Sequence, residues 1–451
     1  MQRQNILTPG AAAAATGAIA GPDDPHAALY RKVTWRLLPI LFACYVIAYL
    51  DRVNIGYAQL HMRGDLGFTD QVYGLAAGLF FVTYFLCEIP SNIYLQRVGA
   101  RKTLVRILLL WGAASCATMF VVGPLSFYAV RLVLGVFEAG LAPGVMFYLT
   151  LWYPNRRRAQ VTAVFLSGSA VAGVIGAPVS GLILDGFQGV LGFKGWQWMF
   201  LLEGLPAILL SLCVLLVLSD RPHEANWLSA EEKAALSADI ARDASRAGGG
   251  HGFGAALRDP RIYFWSAAWF TLVCGLYAIT FWMPVMLQAA GVRSATEVGL
   301  WSIIPYGIGS VGMVLISRQS DRCDERRWHY AVNVVLGASC LLMASLAGTQ
   351  LALVLALLAV ATATLFAAMP IFYAIPMAYL PERAAAGGLA LINCLGLTGG
   401  FFSPMLLGWV RTQTGSLTAG LWVMAGMMLA GVAILLLTTR KMVPSPVPVR
   451  A

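Results

Sequence analysis

Six ionisable residues interrupt the long apolar segments of this 451-residue chain: Asp51, Arg52, Glu88, Arg131, Glu138 and Glu203. A charged side chain near the centre of a membrane costs at least about 2.5–3.5 kcal/mol if it faces lipid, so such groups normally face a partner or a cavity. Arginine offers planar donors that match a carboxylate, whereas a carboxyl group in a low dielectric can take up and release a proton. Together these residue types are suited to binding an anion and carrying protons.

The spacing predicts that four of these groups lie together. Arg131 and Glu138 are seven residues apart, which places them on one face of a helix, two turns apart. At a rise of about 1.5 Å per residue, Asp51 and Arg131 lie roughly 10 Å from the same membrane surface. We expect Arg52 and Arg131 to bind a substrate carboxylate while Asp51 and Glu138 carry protons. An anion on an arginine would release the paired acid, which is then more easily protonated.

Simpler interpretations remain open for each group. A buried ion pair could do no more than join two helices, and Glu88 and Glu203 are interpreted as packing or gating residues beside prolines. Tyr49, Tyr84 and Asn393 are candidates for contacts to the rest of a ligand. An amide deep in an apolar segment is costly unless it is hydrogen-bonded, so Asn393 either binds a hydroxyl or joins two helices.

The elements that must position these groups follow from composition. The chain is 59% hydrophobic and 12% charged, against about 45–50% and ~25% for an average soluble domain, which excludes an ordinary soluble enzyme. Because a span needs about 20 apolar residues, the length predicts an all-α membrane protein of twelve spans. We place spans 1 to 12 at 36–58, 72–95, 103–122, 125–149, 159–185, 196–218, 262–288, 297–317, 328–348, 351–379, 385–410 and 418–439.

The distribution of basic residues predicts the topology. Of the 31 Lys and Arg residues, 25 fall in the N-terminus and in the connections after even-numbered spans, so the positive-inside rule predicts that both termini are cytoplasmic. This distribution also argues against a nucleic-acid partner. The predicted organisation is a cytoplasmic tail (1–35), a six-helix bundle (36–218), a cytoplasmic linker (219–260), a second six-helix bundle (261–440) and a tail (441–451). A capping box at Ser229 predicts a linker helix from Ala230 to Ala244, ended by Gly248–Gly250.

An internal repeat supports two equivalent bundles. Arg97, after span 2, and Arg322, after span 8, are 225 residues apart. Pro178 of span 5 and Pro404 of span 11, each within a glycine-rich run, are 226 residues apart. Two unrelated features thus share an offset of half the chain. Such duplication is typical of transporters in which two bundles rock about a central site.

Several short strings carry a family resemblance. They are QRVGARK at 96–102, DRCDERR at 321–327, YLDRVNIG at 49–56, FEAG at 137–140, GWQW at 195–198, EGLP at 203–206 and GGFFSP at 399–404. Over about residues 30–440 the chain resembles the major facilitator superfamily, and within it the anion:cation symporter family. The resemblance implies the roles given above for Asp51, Arg52, Arg131 and Glu138.

The same resemblance implies a gate in the loops after spans 2 and 8. Its candidate residues are Arg97, Arg101, Asp321 and Arg322. The first loop departs from the superfamily pattern, since Asn92 replaces a glycine and Gln96 an aspartate. That departure weakens a charge-based gate in the first half, whereas Asp321 retains the pattern in the second half.

These observations predict a secondary transporter of the inner membrane that imports a small organic anion with protons. The anion would be a sugar acid, a hydroxy-dicarboxylate such as tartrate, or an aromatic carboxylate. Symport fits because the membrane potential opposes anion entry by about 2.3 kcal/mol per charge per 100 mV. We expect a monomer in the lipid bilayer, without cofactor or metal. The alternatives are a passive facilitator or channel, a transporter-like receptor and, with less support, a polytopic membrane enzyme.

Overall fold

The computed structural model describes residues 26–246, 257–323, 325–380 and 382–439. Most of both predicted tails and Gly248–Gly250 lie outside the described residues. In the described ranges, twelve helical spans are long and apolar enough to cross a membrane, as the sequence predicts. Their bounds are Ala27–Leu66, Asp70–Val98, Ala100–Phe120, Pro124–Thr150, Asn155–Gly186, Gly195–Val217, Pro260–Ala289, Ala295–Cys323, Arg327–Leu346, Leu351–Tyr379, Gly387–Thr414 and Leu417–Thr439.

Span 4 is broken rather than continuous, which corrects the single helix expected from the sequence. Span 4 consists of Pro124–Glu138 and Leu141–Thr150, and its break falls directly after an acidic residue. Ala139 leaves the helical region with ψ 128°, and Gly140 has φ +92°, a conformation that favours glycine. In spans 5 and 11 the backbone stays in the right-handed helical region at Ser167 and Thr398, so these two spans continue through both positions.

Span 1 begins at Ala27, nine residues before the predicted start, because its first turns are packed against protein. Tyr30 and Thr34 are buried, and the Thr34 and Tyr153 hydroxyls lie 3.1 Å apart. Lys32 pairs with Glu232 of the linker helix at 2.7 Å. Contacts with other parts of the protein therefore stabilise the first turns of span 1, before its apolar segment begins.

The linker helix runs from Ala230 to Arg246, two residues longer than predicted. The predicted capping box is present: Ser229 N donates to Glu232 Oε2 at 2.8 Å, and Glu232 N donates to Ser229 Oγ at 3.2 Å. Hydrogen bonds from Lys32 and the Ser229 backbone lower the pKa of Glu232. We call the end of the molecule that carries this helix the linker face, and the opposite end the far face.

The two bundles meet through the far-face parts of their helices. Span 2 packs so closely on span 11 that a Cβ added at Gly78 would lie 2.7 Å from the carbonyl oxygen of Phe401. Asp70 Oδ1 of span 2 accepts a hydrogen bond from Arg411 of span 11 at 3.0 Å. Asp185 Oδ2 of span 5 accepts one from Thr296 N of span 8 at 2.7 Å. These contacts close the far face.

Candidate functional site

The centre of the first bundle contains an ion pair between Arg52 of span 1 and Glu138 of span 4. Arg52 Nε and a terminal guanidinium nitrogen lie 2.8 and 2.6 Å from the same oxygen, Glu138 Oε1. Glu138 is fully buried, whereas the Arg52 side chain is 17% exposed. No described residue donates a hydrogen bond to Glu138 Oε2. The pair therefore presents a partly accessible cation and a carboxylate with one free oxygen.

Local backbone structure sets the position of Glu138. It is the last residue of the Pro124–Glu138 helix, immediately before the break. At Gly140 an added Cβ would lie 2.6 Å from Ser91 Oγ of span 2, so the close approach and the positive φ both require glycine. The break thus places the Glu138 carboxyl group at the end of a half-helix rather than on the side of an uninterrupted helix.

Aromatic rings of span 2 hold the two arginines. The Arg52 guanidinium lies 5.0 Å from the Tyr84 ring centroid and 5.6 Å from that of Phe80. Arg131 lies 5.0 Å from the same Phe80 ring, and its Nε donates to the carbonyl oxygen of Ala76 at 3.3 Å. Cation–π contacts of this kind stabilise desolvated arginines. Phe80 was not a candidate from sequence, because a phenylalanine in an apolar segment carries no signal of its own.

Asp51 turns away from Arg52 towards span 3. Ser115 Oγ donates to its Oδ1, and Trp111 Nε1 donates to its Oδ2 at 3.1 Å. Asp51 is 2% exposed, and Arg131 donates to the carbonyl oxygen of Ala76 rather than to the Asp51 carboxylate. The sequence placed Asp51 and Arg131 at one level of the membrane, but it could not identify Trp111 and Ser115 as the groups that contact the carboxylate.

The second bundle contributes polar aromatic groups. The Tyr373 hydroxyl donates to Asn393 Oδ1 at 2.8 Å, and both side chains are half-buried. The Tyr277 side chain of span 7 lies beside the Arg52 guanidinium. Tyr277 follows Arg52 by 225 residues, the offset of the internal repeat, and this offset is the signal that could have identified it. Tyr49 is half-buried, with its ring 6.3 Å from that of Tyr45.

The residues proposed for a gate lie at the linker face and contact their own bundle. Arg101 donates through its guanidinium to the carbonyl oxygen of Leu215, and its backbone N donates to Asp220 Oδ1 at 2.7 Å. Asp321 forms an ion pair with Arg326. Arg97 and Arg322 are exposed.

Comparison with known proteins identifies the family to which the chain belongs. Residues 41–404 match the family model described as Major Facilitator Superfamily. The chain belongs to the Major Facilitator Superfamily. Its members transport solutes, so the protein is an integral membrane transporter rather than an enzyme.

Two relatives and one solved structure illustrate the similarity. The chain is 41% identical to a protein of Pseudomonas putida named as the metabolite transport protein NicT, over 93% of this chain and 97% of that protein. It is 42% identical to a protein of Agrobacterium vitis named as a tartrate transporter, over 93% of each chain. A bacterial homologue of the lysosomal transporter Spinster, in an inward-facing and occupied conformation, superimposes with a TM-score of 0.76 over 91% of this chain and 98% of that chain, at 16% identity.

Proposed function

We propose that this protein is a proton-coupled symporter of a small organic anion that works by alternating access. The observation that carries the proposal is the Arg52–Glu138 pair, because it combines a partly exposed cation with a fully buried acid whose ion-pair partner is that cation. The name of the Agrobacterium relative, a tartrate transporter, supports a small organic acid as cargo, in the manner of the anion:cation symporters. Sugar acids, tartrate-like hydroxy-dicarboxylates and aromatic carboxylates are the candidates.

In the proposed cycle the substrate carboxylate takes the place of Glu138 on Arg52. Two guanidinium nitrogens then bind the carboxylate, and Arg131 supplies a second cation beside the shared Phe80 ring. Glu138 loses its ion-pair partner in a buried position, so it binds a proton. Asp51 is the second proton carrier. Protons that enter with the anion remove the charge on which the membrane potential acts.

The hydroxyl-bearing part of the substrate would face the second bundle. Asn393 uses its Oδ1 on Tyr373, which leaves its Nδ2 group to donate to a ligand oxygen. Tyr49 and Tyr84 of the first bundle and Tyr277 of the second would complete the wall around the ligand. This division gives each bundle a different task, with charge bound by the first and hydroxyl groups by the second.

We further propose that the linker face is cytoplasmic and that the chain is a monomer in the bacterial inner membrane. The excess of Lys and Arg in the connections on that face supports this orientation. With the far face closed, the site would open to the cytoplasm. Arg97, Arg101, Asp321 and Arg322 would then rearrange when the linker face closes.

Uptake into proteoliposomes tests the proposal. The first assay measures accumulation of each organic acid of a panel with and without an inward proton gradient. The second assay measures the exchange of internal for external acid at equal pH on both sides of the membrane. We expect one class of acid to accumulate only with the gradient. We expect Glu138→Gln to retain exchange and lose accumulation, and Arg131→Ala to bind the acid more weakly.

Three results would contradict the proposal. Full gradient-driven accumulation by Glu138→Gln and Asp51→Asn would reject both proton carriers, and unchanged affinity in Arg131→Ala would reject the second anion contact. Uptake by the wild-type protein that ignores the gradient would instead favour a passive facilitator.

A further inference from the structure

A cavity of about 280 Å³ opens on the far face, between the last turns of span 1 and the end of span 7. Its polar lining comes from Gln59 and Arg63 of span 1 and Gln288 of span 7. Arg63 follows Arg52 by eleven residues on one helix, which places it about 16 Å further along span 1. The cavity is therefore separate from the Arg52–Glu138 pair.

The arginine of this cavity is only partly engaged by the protein. A terminal nitrogen of Arg63 lies 2.7 Å from Asp70 Oδ1, and one of Arg411 lies 3.0 Å from the same oxygen, so two cations share one acid. The nearby Asp65 is paired with Lys194 at 3.3 Å. The Arg63 side chain is 33% exposed, and its Nε donates to no described residue. This excess of positive charge favours an anion in the cavity.

Gln59 offers a hydrogen-bond acceptor on the same side of span 1. It precedes Arg63 by four residues, so the two side chains lie one above the other on one helix face. Gln59 is 2% exposed, and its Nε2 donates to the carbonyl oxygen of Phe281 at 3.1 Å. Its Oε1 receives no hydrogen bond within the part of the chain that the structure describes. A buried acceptor without a donor is costly, and a ligand hydroxyl would supply that donor.

We propose that this cavity is an outer binding site for a small hydroxycarboxylate. The carboxylate binds Arg63 through the edge that carries Nε, while a terminal nitrogen stays on Asp70. A hydroxyl group of the ligand donates to Gln59 Oε1, and Gln288 contacts the ligand at the rim. The choice of ligand rests on the proposed function, since hydroxy acids are among the candidate cargoes. The site collects the anion at the closed far face before the two bundles separate.

Protection of a cysteine at the cavity mouth tests this site. Gly64 lines the cavity and is exposed, and a Cβ added there would meet nothing within 4 Å. Gly64→Cys therefore places a thiol at the mouth. Its labelling rate with N-ethylmaleimide is measured on the purified full-length protein at constant ionic strength, with the wild-type protein as the blank. Gly186→Cys, an exposed change on the same face but outside the cavity, is the matched control.

Three probes with one carbon skeleton separate the two contacts. Tartrate has carboxylates and hydroxyls, succinate lacks the hydroxyls, and threitol lacks the carboxylates. We expect tartrate to slow labelling of Gly64→Cys and threitol to leave it unchanged. Succinate should protect at about three- to tenfold higher concentration, because it has no donor for Gln59.

Second substitutions in the Gly64→Cys protein assign the protection to the cavity. Arg63→Gln should raise the protecting concentration of tartrate about ten- to hundredfold, because a charged hydrogen-bond partner is lost. Arg293→Gln, an exposed change on the same face, should not alter it. Arg52→Gln weakens the central site and should also leave protection unchanged. Should Arg63→Gln fail to fold, Gln59→Leu removes the acceptor and should abolish the difference between tartrate and succinate.

The inference is overturned if tartrate slows labelling of Gly186→Cys equally, if Arg63→Gln keeps full protection, or if Arg52→Gln removes it. Protection by phosphatidylglycerol and not by tartrate would identify a lipid headgroup as the occupant and would also overturn it. Labelling requires no transport. Protection by tartrate in a protein without proton-driven uptake would therefore reject the proposed function and leave the outer site standing.

Discussion

At the scale of single residues, Arg52 and Glu138 form the contact on which the proposed coupling depends. Two of the three guanidinium nitrogens of Arg52 bind one oxygen of Glu138. A substrate carboxylate that binds the same two nitrogens therefore competes directly with Glu138. The sequence predicted these residues because ionised groups in apolar spans are rare and costly. It did not predict that Asp51 would face span 3, since adjacent positions on a helix point in different directions and the neighbours of each depend on packing.

Replacing Arg52 by lysine tests the need for two donors. Lysine keeps the charge but lacks the planar fork, and losing one hydrogen bond to a charged group costs about 1.5–3 kcal/mol. We expect Arg52→Lys to bind the transported acid roughly ten- to hundred-fold more weakly by calorimetry. Arg258→Lys, at an exposed position before span 7, is the control. Equal affinities in the two variants would show that only the charge matters.

At the scale of elements, the spans were predictable and the break in span 4 was not. Hydropathy identified all twelve spans because each must cover the hydrocarbon core. The interruption of span 4 depends on the backbone of Ala139 and Gly140, and a glycine in an apolar run is also compatible with an intact helix. The early start of span 1 was missed because it depends on Tyr153 and Glu232, which are distant in sequence.

The break itself can be tested at Gly140. An alanine there would adopt a left-handed conformation, at a cost of about 1–2 kcal/mol, and its Cβ would crowd Ser91. We expect Gly140→Ala to lower the melting temperature in detergent and to reduce uptake, because Glu138 would move. Gly307→Ala is the matched control, since no atom lies within 4 Å of a Cβ added there. Similar melting temperatures in both variants would mean that the break tolerates a side chain.

The attachment of the linker helix is expected to depend on the charge of Glu232. Its hydrogen bond from Lys32 lowers its pKa below the ordinary value of 4.5, so the pairing stabilises attachment above that pH and is lost as the pH falls below it. We therefore expect trypsin to cleave after Lys233 at a constant rate between about pH 8 and pH 5, once corrected for protease activity. Glu232→Gln should be cleaved faster throughout, and Glu231→Gln should behave as wild type. A wild-type rate that rises within this range would contradict the assignment.

At the scale of the whole molecule, far-face contacts hold the two bundles in the observed conformation. Asp70 Oδ1 binds Arg63 of its own bundle at 2.7 Å and Arg411 of the other bundle at 3.0 Å. Alternating access would require the second of these contacts to break while the first remains. Asp70 would then keep a cation in both conformations, so opening would not leave an unpaired acid.

Removing Arg411 should favour opening of the far face. Asp70 retains Arg63 in this variant. We therefore expect Arg411→Gln to destabilise the closed far face by about 1 kcal/mol, which shifts the equilibrium between closed and open conformations roughly fivefold. Hydrogen–deuterium exchange should rise in the segments 56–75 and 400–414. Arg293→Gln, an exposed change on the same face, should leave exchange unaltered. Equal exchange in both variants would show that Arg411 does not hold the bundles together.

The burial of span 7 has a consequence for biogenesis. Residues 271–287 of span 7 all lie inside the protein, and Gln59 of span 1 donates to the carbonyl oxygen of Phe281 within this segment. Helices enter the bilayer individually and associate afterwards, so span 7 must first be surrounded by lipid and later exchange that lipid for neighbouring helices. A nascent chain that has inserted spans 1 to 6 still lacks this partner, and its folding is completed only after the second half of the chain has been synthesised.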